Sequence, residues 1–231
     1  RRFIYYEPRL LGRARFGVMR HMLSRNVGLV FMRQSANQGE YDHSFVTRSL
    51  VTDRVFYSSN GAPFVGPLYL LSEHEGAEPP SLLPPLRESN FTPAFEAAIL
   101  SSADPAPGRR KGSDLKLSSE DILNYVYSVL NSPGYRARYA DFLRVDYPRI
   151  PLPNKSDLLR DLARLGGELI ALHLLESPKL ANLITSYIGA KNPEVGRSAW
   201  LNDTVWLDTA TKKGQPTVIG TSGFRGVPEA V

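Results

Sequence analysis

The sequence predicts an α+β fold built from three successive parts. A mainly β N-terminal part with one helix comes first, a central helical subdomain follows, and a β-rich segment ends the chain. The first part is indicated by a run rich in Val, Thr, Phe and Tyr from Ser44 to Ser58, and the second by apolar residues at helical spacing from Ser118 to Glu176. In the third part, polar and apolar residues alternate between Ser198 and Ile219. With 231 residues, 42% of them hydrophobic, the chain can bury one substantial core or two small ones.

Residues 1–72 are expected to form the β-rich part. A short helix is predicted over Gly12 to Ser24, where apolar residues recur at helical spacing. Strands are predicted over Val27 to Gln34, Ser44 to Ser58, and Pro63 to Leu71, the last interrupted by Gly66-Pro67. Turn-rich connections separate them at Ser35 to Asp42 and at Ser59-Asn60-Gly61.

Residues 73–117 are predicted to be extended connections around one short helix. Prolines mark Glu73 to Ser89 as a surface connection, whereas Thr92 to Leu100 fits a helix with Thr92 as its cap and Pro93 at its first position. The loose stretch from Ala103 to Gly112 includes the basic triplet Arg109-Arg110-Lys111. This triplet either contacts phosphate or, as is usual for charged loops, is simply solvated.

Helices dominate the predicted subdomain of residues 118–190. Ser118 and Asp121 have the spacing of a capping box at the start of its first helix. Further helices are predicted over Tyr135 to Val145 and Leu158 to Leu175. Residues 191–231 are predicted to form C-terminal strands, with Lys212-Lys213-Gly214 as a connecting turn.

Positive charge is concentrated at the N-terminal end. Residues 1–60 contain ten arginines, no lysine and four acidic residues, so their formal charge of +6 exceeds the +5 of the whole chain. Arginine binds phosphate and guanine through paired hydrogen bonds, so this region fits a nucleic-acid partner. A solvated basic face encoded by a GC-rich genome would explain the same composition.

Several classes of site are excluded by what the sequence lacks. The chain contains no cysteine, which excludes disulfides, thiolate zinc sites and a cysteine nucleophile and fits a reducing cytoplasm. No apolar run reaches the roughly 18 residues of a membrane span, so no membrane partner is expected. The Asn/Asp-Pro-Pro-Tyr/Phe motif of amino-methyltransferases, the GxxxxGK(S/T) phosphate loop and the GxSxG elbow do not occur. We therefore expect the chain by itself to catalyse no reaction.

Two other signals carry little weight. GTSGFRG, from Gly220 to Gly226, resembles a loop of phosphohexomutases but lacks the phosphoserine and metal loops that such enzymes need. The histidines do not have the spacing of metal ligands, so no metal site is predicted. His173 lies in a leucine-rich helix and is expected to be packed or hydrogen-bonded.

The segment Tyr135-Arg136-Ala137-Arg138-Tyr139 has two interpretations. Aromatic rings stack on bases and arginine binds phosphate, which suggests a nucleic-acid contact. However, Tyr135, Tyr139 and Phe142 share one helix face, so we favour a place for them in the core. Arg136 is then expected to be exposed or paired with Asp141 or Asp146.

The side chains best suited to read DNA bases lie in the first β segment. Arginine can bind guanine O6 and N7, and asparagine or glutamine can bind adenine N6 and N7. The predicted base-reading residues are Arg33, Gln34, Asn37, Gln38, Arg48, Ser59 and Asn60, and the predicted phosphate contacts are Arg13, Arg15, Arg20 and Arg25. Arg48 shares a strand face with Val46 and Leu50, so it either lines a groove or needs a buried partner.

One ordered set of residues resembles a known family. The set comprises Tyr125, Tyr127, Leu130, Ser132, Pro133, Tyr135, Arg136, Arg138, Tyr139, Phe142 and Leu143, followed by PRIPLP at residues 148–153. The segments EPRLLGRARFGVMRHML, LVFMRQ, FVTRSLV, PLYLL and FRGVPEAV continue the likeness over nearly the whole chain. The pattern is similar to the C-terminal specificity domain of Type ISP restriction-modification enzymes and related adenine-specific DNA methyltransferases. Members of that family usually continue past GVPEAV, so we expect a fragment of a longer enzyme.

The resemblance implies a target recognition domain over residues 1–231 that binds double-stranded DNA. It would position a short, asymmetric site for adenine-N6 methylation by the methyltransferase domain of the same polypeptide, which would use S-adenosylmethionine, while this chain holds no cofactor. Such a polypeptide can also carry a helicase and an endonuclease. The alternative is a protein-docking module, in which the helical part packs on a catalytic domain and the arginines bind acidic partners. A preference for one duplex sequence distinguishes the two hypotheses.

Overall fold

The computed structural model describes residues 16–33, 41–52, 55, 62–72, 86–103, 116–210 and 217–229. Helices and antiparallel sheets occur together in it, which confirms the α+β class. The chain divides into two compact units, Arg1–Ser177 and Pro178–Val231. This division falls earlier in the chain than the boundary that the sequence predicted after residue 190.

Within the described residues, five short strands of the first unit form two antiparallel sheets. The larger sheet has the order β2-β1-β3 and consists of β1 (Gly28–Phe31), β2 (Ser44–Thr47) and β3 (Phe64–Pro67). The smaller sheet pairs β4 (Tyr69–Ser72) with β5 (Leu86–Ser89). Leu29 lies opposite Val46, and both pack against the helical core. One face of the larger sheet therefore rests on the helices.

The N-terminal elements depart from their predicted bounds. The predicted helix from Gly12 is described only as α1 (Phe16–Met19) followed by a 3₁₀ turn (Arg20–Met22). The predicted strand from Pro63 is two strands, β3 and β4, which belong to different sheets. Residues 86–89 were wrongly predicted to be part of an extended connection, because their main chain pairs with β4 and forms β5.

Two helices begin where their capping residues predicted. α2 (Pro93–Ala103) follows Thr92, whose hydroxyl accepts the N–H of Phe95 at 3.3 Å. α3 (Ser119–Leu130) follows Ser118, and the capping box is complete because the Ser118 hydroxyl accepts the N–H of Asp121 while the Asp121 carboxylate accepts the N–H of Ser118. Each cap satisfies amide donors that the helix itself leaves without partners.

The helix predicted over Tyr135 to Val145 is interrupted. It consists of α4 (Pro133–Arg138) and α5 (Ala140–Val145), separated by Tyr139, whose φ of −109° and ψ of 18° lie outside the helical region. Ser132 caps α4 through a 3.4 Å bond from the N–H of Tyr135. The break turns the chain toward the PRIPLP segment.

The hydrophobic core of the first unit lies around α3 and α6 (Ser156–His173). Tyr127 of α3 and Leu159 of α6 are completely buried within it. A Cβ atom added at Gly166 would lie 1.9 Å from the carbonyl oxygen of Asn124, so the two helices meet main chain against main chain. Among the described residues, no helix has the length and apolarity needed to cross a membrane.

The second unit contains a four-stranded antiparallel sheet in the order β6-β9-β8-β7. Its strands are β6 (Ser186–Ile188), β7 (Arg197–Trp200), β8 (Thr204–Thr209) and β9 (Gly223–Arg225). β6 lies in the part that the sequence assigned to helices, and it becomes a strand by pairing with β9. Asn202 and Asp203 join β7 to β8 with φ values of 53° and 56°, a region that short polar side chains tolerate.

Candidate nucleic-acid interface

Four of the predicted DNA-contacting arginines belong to the described residues. Arg20 and Arg25 are exposed on the turn that follows α1, Arg33 follows β1, and Arg48 follows β2. The other predicted contacts lie outside the described residues: Arg13, Arg15, Gln34, Asn37, Gln38, Ser59 and Asn60. The basic triplet at residues 109–111 is also outside them.

Buried polar side chains hold the turn that carries Arg20 and Arg25. The amide nitrogen of Asn26 donates to the carbonyl oxygens of His21 at 3.0 Å and Tyr69 at 2.8 Å. His21 accepts the N–H of Leu71 on its Nδ1 atom at 2.9 Å. Burial, together with the charge of Arg20, lowers the pKa of His21, so its ring is a neutral acceptor at pH 7. The turn is thus fixed to β4 while its arginines remain exposed.

Arg33 and Arg48 lie on the helix-facing side of the larger sheet. Side chains alternate between the two faces along a strand, so Arg48 shares the face of Val46 and Arg33 shares the face of Leu29. Val46 and Leu29 are directly opposite each other. Both guanidinium groups consequently meet carboxylates of the helical part.

All three nitrogen atoms of the Arg48 guanidinium donate to protein acceptors. Its Nε and Nη2 atoms donate to the two oxygens of Glu176 at 2.5 and 3.0 Å, and its Nη1 atom donates to the carbonyl oxygen of Asn26 at 3.5 Å. The hydrogen bonds from Arg48 lower the pKa of Glu176, and the positive charge of Arg25 acts in the same direction. Arg48 therefore has the partner that its strand position required, although Glu176 is half-exposed rather than buried.

Among the described residues, Arg33 makes fewer hydrogen bonds to protein acceptors than Arg48 does. Its Nε atom donates to Oδ1 of Asp146 at 3.3 Å, and its guanidinium carbon lies 5.6 Å from the centre of the Tyr147 ring. Tyr147 in turn makes edge contacts with Phe31 and Phe64, whose ring centres lie 6.4 and 5.4 Å from its own. These rings and the Arg33 side chain form an exposed cluster at the end of the sheet.

The tyrosines of the recognised pattern fix the PRIPLP segment. The hydroxyl of Tyr125 donates to the carbonyl oxygen of Pro151 at 2.6 Å, and that of Tyr135 donates to the carbonyl oxygen of Arg149 at 2.9 Å. Burial raises the pKa of Tyr125 to about 12. Both hydroxyls thus act as neutral donors that set the path of the chain immediately after Tyr147.

Two details predicted for this segment are wrong. Tyr135 is buried and Tyr139 is partly buried, as expected for core residues, but Phe142 is 61% exposed because the break at Tyr139 rotates α5. Arg136 donates to the carbonyl oxygen of Leu130 and to the side chain of Asn131 instead of pairing with an aspartate. It therefore closes the end of α3, and Asp146 is left to bind Arg33.

The residues that suggested other chemistry have structural roles. Nδ1 of His173 forms a 2.6 Å hydrogen bond with the Tyr127 hydroxyl, as predicted for a packed or hydrogen-bonded histidine. The described residues contain no group of three or more metal-binding side chains. In the GTSGFRG loop, the carboxylate of Asp208 accepts the main-chain N–H groups of Thr221 and Ser222. These donors, which a phosphate loop would need, are already occupied.

Three residues of this interface were missed by reasoning from the sequence. Glu176 was not considered, Asp146 was assigned to a different arginine, and Tyr147 was noted only as the residue before the proline-rich segment. The available signal was their position, since Asp146 and Tyr147 directly precede PRIPLP and Glu176 ends the amphipathic run. No local rule links such positions to strands more than a hundred residues away.

Comparison with known proteins places the chain among specificity domains. The model of a family described as the Type ISP C-terminal specificity domain matches residues 1–231. No curated protein matches the chain. A solved structure described as "cryoEM structure DrdV-DNA complex" is 23% identical with a TM-score of 0.54, and the match covers 90% of this chain and 18% of that chain. A nuclease-deletion mutant of the Type ISP restriction-modification enzyme LlaGI, in complex with a DNA substrate mimic, is 20% identical with a TM-score of 0.49, covering 89% and 15%.

Proposed function

The chain belongs to the family of Type ISP C-terminal specificity domains, and from that premise we propose that it recognises a short, asymmetric site in double-stranded DNA. The observation that carries the proposal is the family match, which extends over residues 1–231. A solved structure of similar fold, with a TM-score of 0.54, is described as a complex with DNA.

The distribution of charge supports a DNA partner. All of the excess positive charge lies within the first 60 residues, which contain ten arginines and no lysine. Arg20 and Arg25 are exposed on a turn that buried hydrogen bonds hold in place. Exposed arginines on a fixed turn suit phosphate binding, because phosphate contacts set the register of a protein on the duplex.

The proposed division of roles follows from side-chain chemistry. Arg13, Arg15, Arg20 and Arg25 would neutralise phosphates, and base readout would come from Arg33, Gln34, Asn37, Gln38, Ser59 and Asn60. A reading role for Arg48 stays a prediction, and it competes with the hydrogen bonds that this side chain donates to Glu176 and Asn26.

The reaction served by this recognition is adenine-N6 methylation in our proposal. The methyltransferase domain of the same polypeptide would bind S-adenosylmethionine and receive the adenine of the recognised site, and an endonuclease and a helicase can accompany it. The chain spans 18% and 15% of the two solved chains that it resembles. Catalysis is therefore assigned to a neighbouring domain.

Selection from a randomised duplex pool tests the proposal. The complete protein is incubated with the pool at several salt concentrations, and bound duplexes are sequenced. Enrichment of one short motif is expected, because each wrong base pair in a recognised site costs about 1–3 kcal/mol. Affinity should fall steeply with salt through the release of counterions. Binding without enrichment by the folded protein would contradict sequence recognition.

A second candidate function, docking on the remainder of the same polypeptide, is favoured by the C-terminal sheet. Tyr187, Phe224, Val205 and Trp200 lie side by side across its four strands. The rings of Tyr187 and Phe224 are 5.3 Å apart, and both remain about two-fifths exposed. A contiguous row of exposed aromatic and aliphatic side chains of this kind is typical of a protein interface.

Replacing one ring of this row tests docking. Phe224→Thr keeps strand propensity but removes the ring, so it should weaken association of this chain with the separately expressed remainder of the protein. Phe142→Thr removes an exposed ring from α5 and serves as the control. Unchanged association of the Phe224 variant would contradict docking through this sheet.

A further inference from the structure

Arg48 and Arg33, at the ends of neighbouring strands, differ in how many of their guanidinium nitrogens donate to protein oxygens. Arg48 directs Nε, Nη1 and Nη2 at protein oxygens. Arg33 uses only Nε, and among the described residues its Nη1 and Nη2 atoms have no hydrogen-bond acceptor. The Arg33 side chain is also 58% exposed. Within the part of the chain that the structure describes, its two terminal nitrogens are thus available for a pair of external acceptors.

Arg33 is nevertheless not a loose side chain. Asp146 accepts a hydrogen bond from the Nε edge of the guanidinium, and the guanidinium carbon lies over the ring of Tyr147. The main chain at Tyr147 and the guanidinium of Arg33 lower the pKa of the Asp146 carboxyl, which keeps it ionised near neutral pH. Two consecutive residues therefore constrain Arg33, Asp146 through a hydrogen bond and Tyr147 through its ring.

The support under Tyr147 extends into the sheet and the proline-rich segment. Phe31 of β1 and Phe64 of β3 contact the ring of Tyr147. The residues that follow Tyr147 are held by the hydroxyls of Tyr125 and Tyr135. Each contact reduces the freedom of the group on which Arg33 rests. The helical part thus restricts the position of the Arg33 side chain, which follows strand β1 of the sheet.

We propose that Asp146 and Tyr147 are positioning residues for DNA recognition, which hold Arg33 so that Nη1 and Nη2 face a pair of acceptors on the duplex. This inference rests on the proposed function and deepens it. The acceptors are either O6 and N7 of a guanine or two oxygens of one phosphate, since both pairs match the fork of an arginine. Holding the side chain in place before binding reduces the entropy lost on association.

The experiment measures duplex binding by the complete protein and by four variants. Arg33→Ala should weaken binding of the selected duplex by about 5- to 100-fold, the range for loss of one paired contact. Asp146→Asn and Tyr147→Leu should each weaken it by about 2- to 10-fold, as expected from the added freedom of one long side chain. Tyr147→Phe keeps the ring and the main-chain N–H and should bind like the parent.

The decisive readout is non-additivity. In the Arg33→Ala background, Asp146→Asn and Tyr147→Leu should have no further effect, because the side chain that they position is gone. Asp141→Asn is the matched control, since among the described residues Asp141 pairs only with Arg144, one turn away on the same short helix. Equal melting temperatures of the Asp146 and Asp141 variants separate positioning from a fold defect.

The outcomes identify the acceptor on the duplex. They also separate failure of the positioning role from failure of the DNA-recognition function. Loss of preference at one base position identifies a guanine, whereas uniform weakening with a salt slope reduced by about one identifies a phosphate. Additive effects of Arg33→Ala and Asp146→Asn would overturn the positioning role. The same conclusion follows if Arg33→Ala leaves binding unchanged while Arg20→Ala and Arg25→Ala weaken it, although the DNA-recognition function would then stand. Absence of DNA binding by the folded complete protein would overturn both.

Discussion

The guanidinium of Arg48 holds the carboxylate of Glu176 by two hydrogen bonds, of 2.5 and 3.0 Å, across 128 positions of sequence. This pair joins the end of β2 to the residues that follow α6. Because Arg48 also donates to Asn26, three segments of the first unit meet at one side chain. A residue whose type suggests base readout thus holds the sheet against the helices.

A double-mutant cycle on this pair should give a small but measurable coupling. Arg48→Met and Glu176→Gln remove the charges, and we expect a coupling of about 0.5–1 kcal/mol in the free energy of unfolding, because both groups are half-exposed. Chemical denaturation at low and high salt measures it. The lowered pKa of Glu176 means that the coupling is complete above about pH 4.5 and is lost as pH falls through the folded-state value. A coupling of zero at low salt would show that the Arg48–Glu176 pair does not stabilise the fold.

The stability of the chain should fall on mild acidification through His21. Its pKa is lowered in the folded state, so the unfolded chain binds a proton first as pH falls below about 6.5. The free energy of unfolding should therefore decrease below that pH. His21→Asn retains an acceptor near the Nδ1 position without titrating, and should show a smaller decrease in denaturation experiments between pH 7 and 5. Identical pH profiles would contradict this role.

Gly166→Ala should destabilise the first unit. The added methyl carbon would lie 1.9 Å from the carbonyl oxygen of Asn124, so α3 and α6 must separate at a cost of about 1–3 kcal/mol. Thermal unfolding measures the loss. Gly134→Ala is the control, because its Cβ would meet only the Ser132 hydroxyl at 3.8 Å and alanine favours the helix. Equal stabilities of the two variants would show that the helices do not meet closely.

Removing the hydroxyl of Tyr125 or Tyr135 should each cost about 1 kcal/mol. Tyr125→Phe and Tyr135→Phe leave the carbonyl oxygens of Pro151 and Arg149 without these donors. Unfolding in urea measures the loss. Tyr139→Phe is the matched control, because among the described residues the Tyr139 hydroxyl has no hydrogen-bond partner. If all three variants were equally stable, the hydroxyls would not hold the proline-rich segment.

The sequence by itself determined the α+β class, the caps of α2 and α3 and the family. These features depend on neighbours within a few residues or on the order of residue types, and both can be read along the chain. Ser118 with Asp121 is an example, since three positions of spacing define the complete capping box. Residues 86–89 and 186–188 become strands for a different reason, because their main-chain groups pair with other segments.

Only the tertiary structure decided which arginines are available. Arg33 and Arg48 have the same residue type, yet among the described residues Arg33 donates from Nε alone and Arg48 donates from all three of its guanidinium nitrogens. Their carboxylate partners lie 113 and 128 positions away. Local propensity does not encode contacts at such separations, because they form only when the helices pack against the sheet and bring both groups within hydrogen-bonding distance.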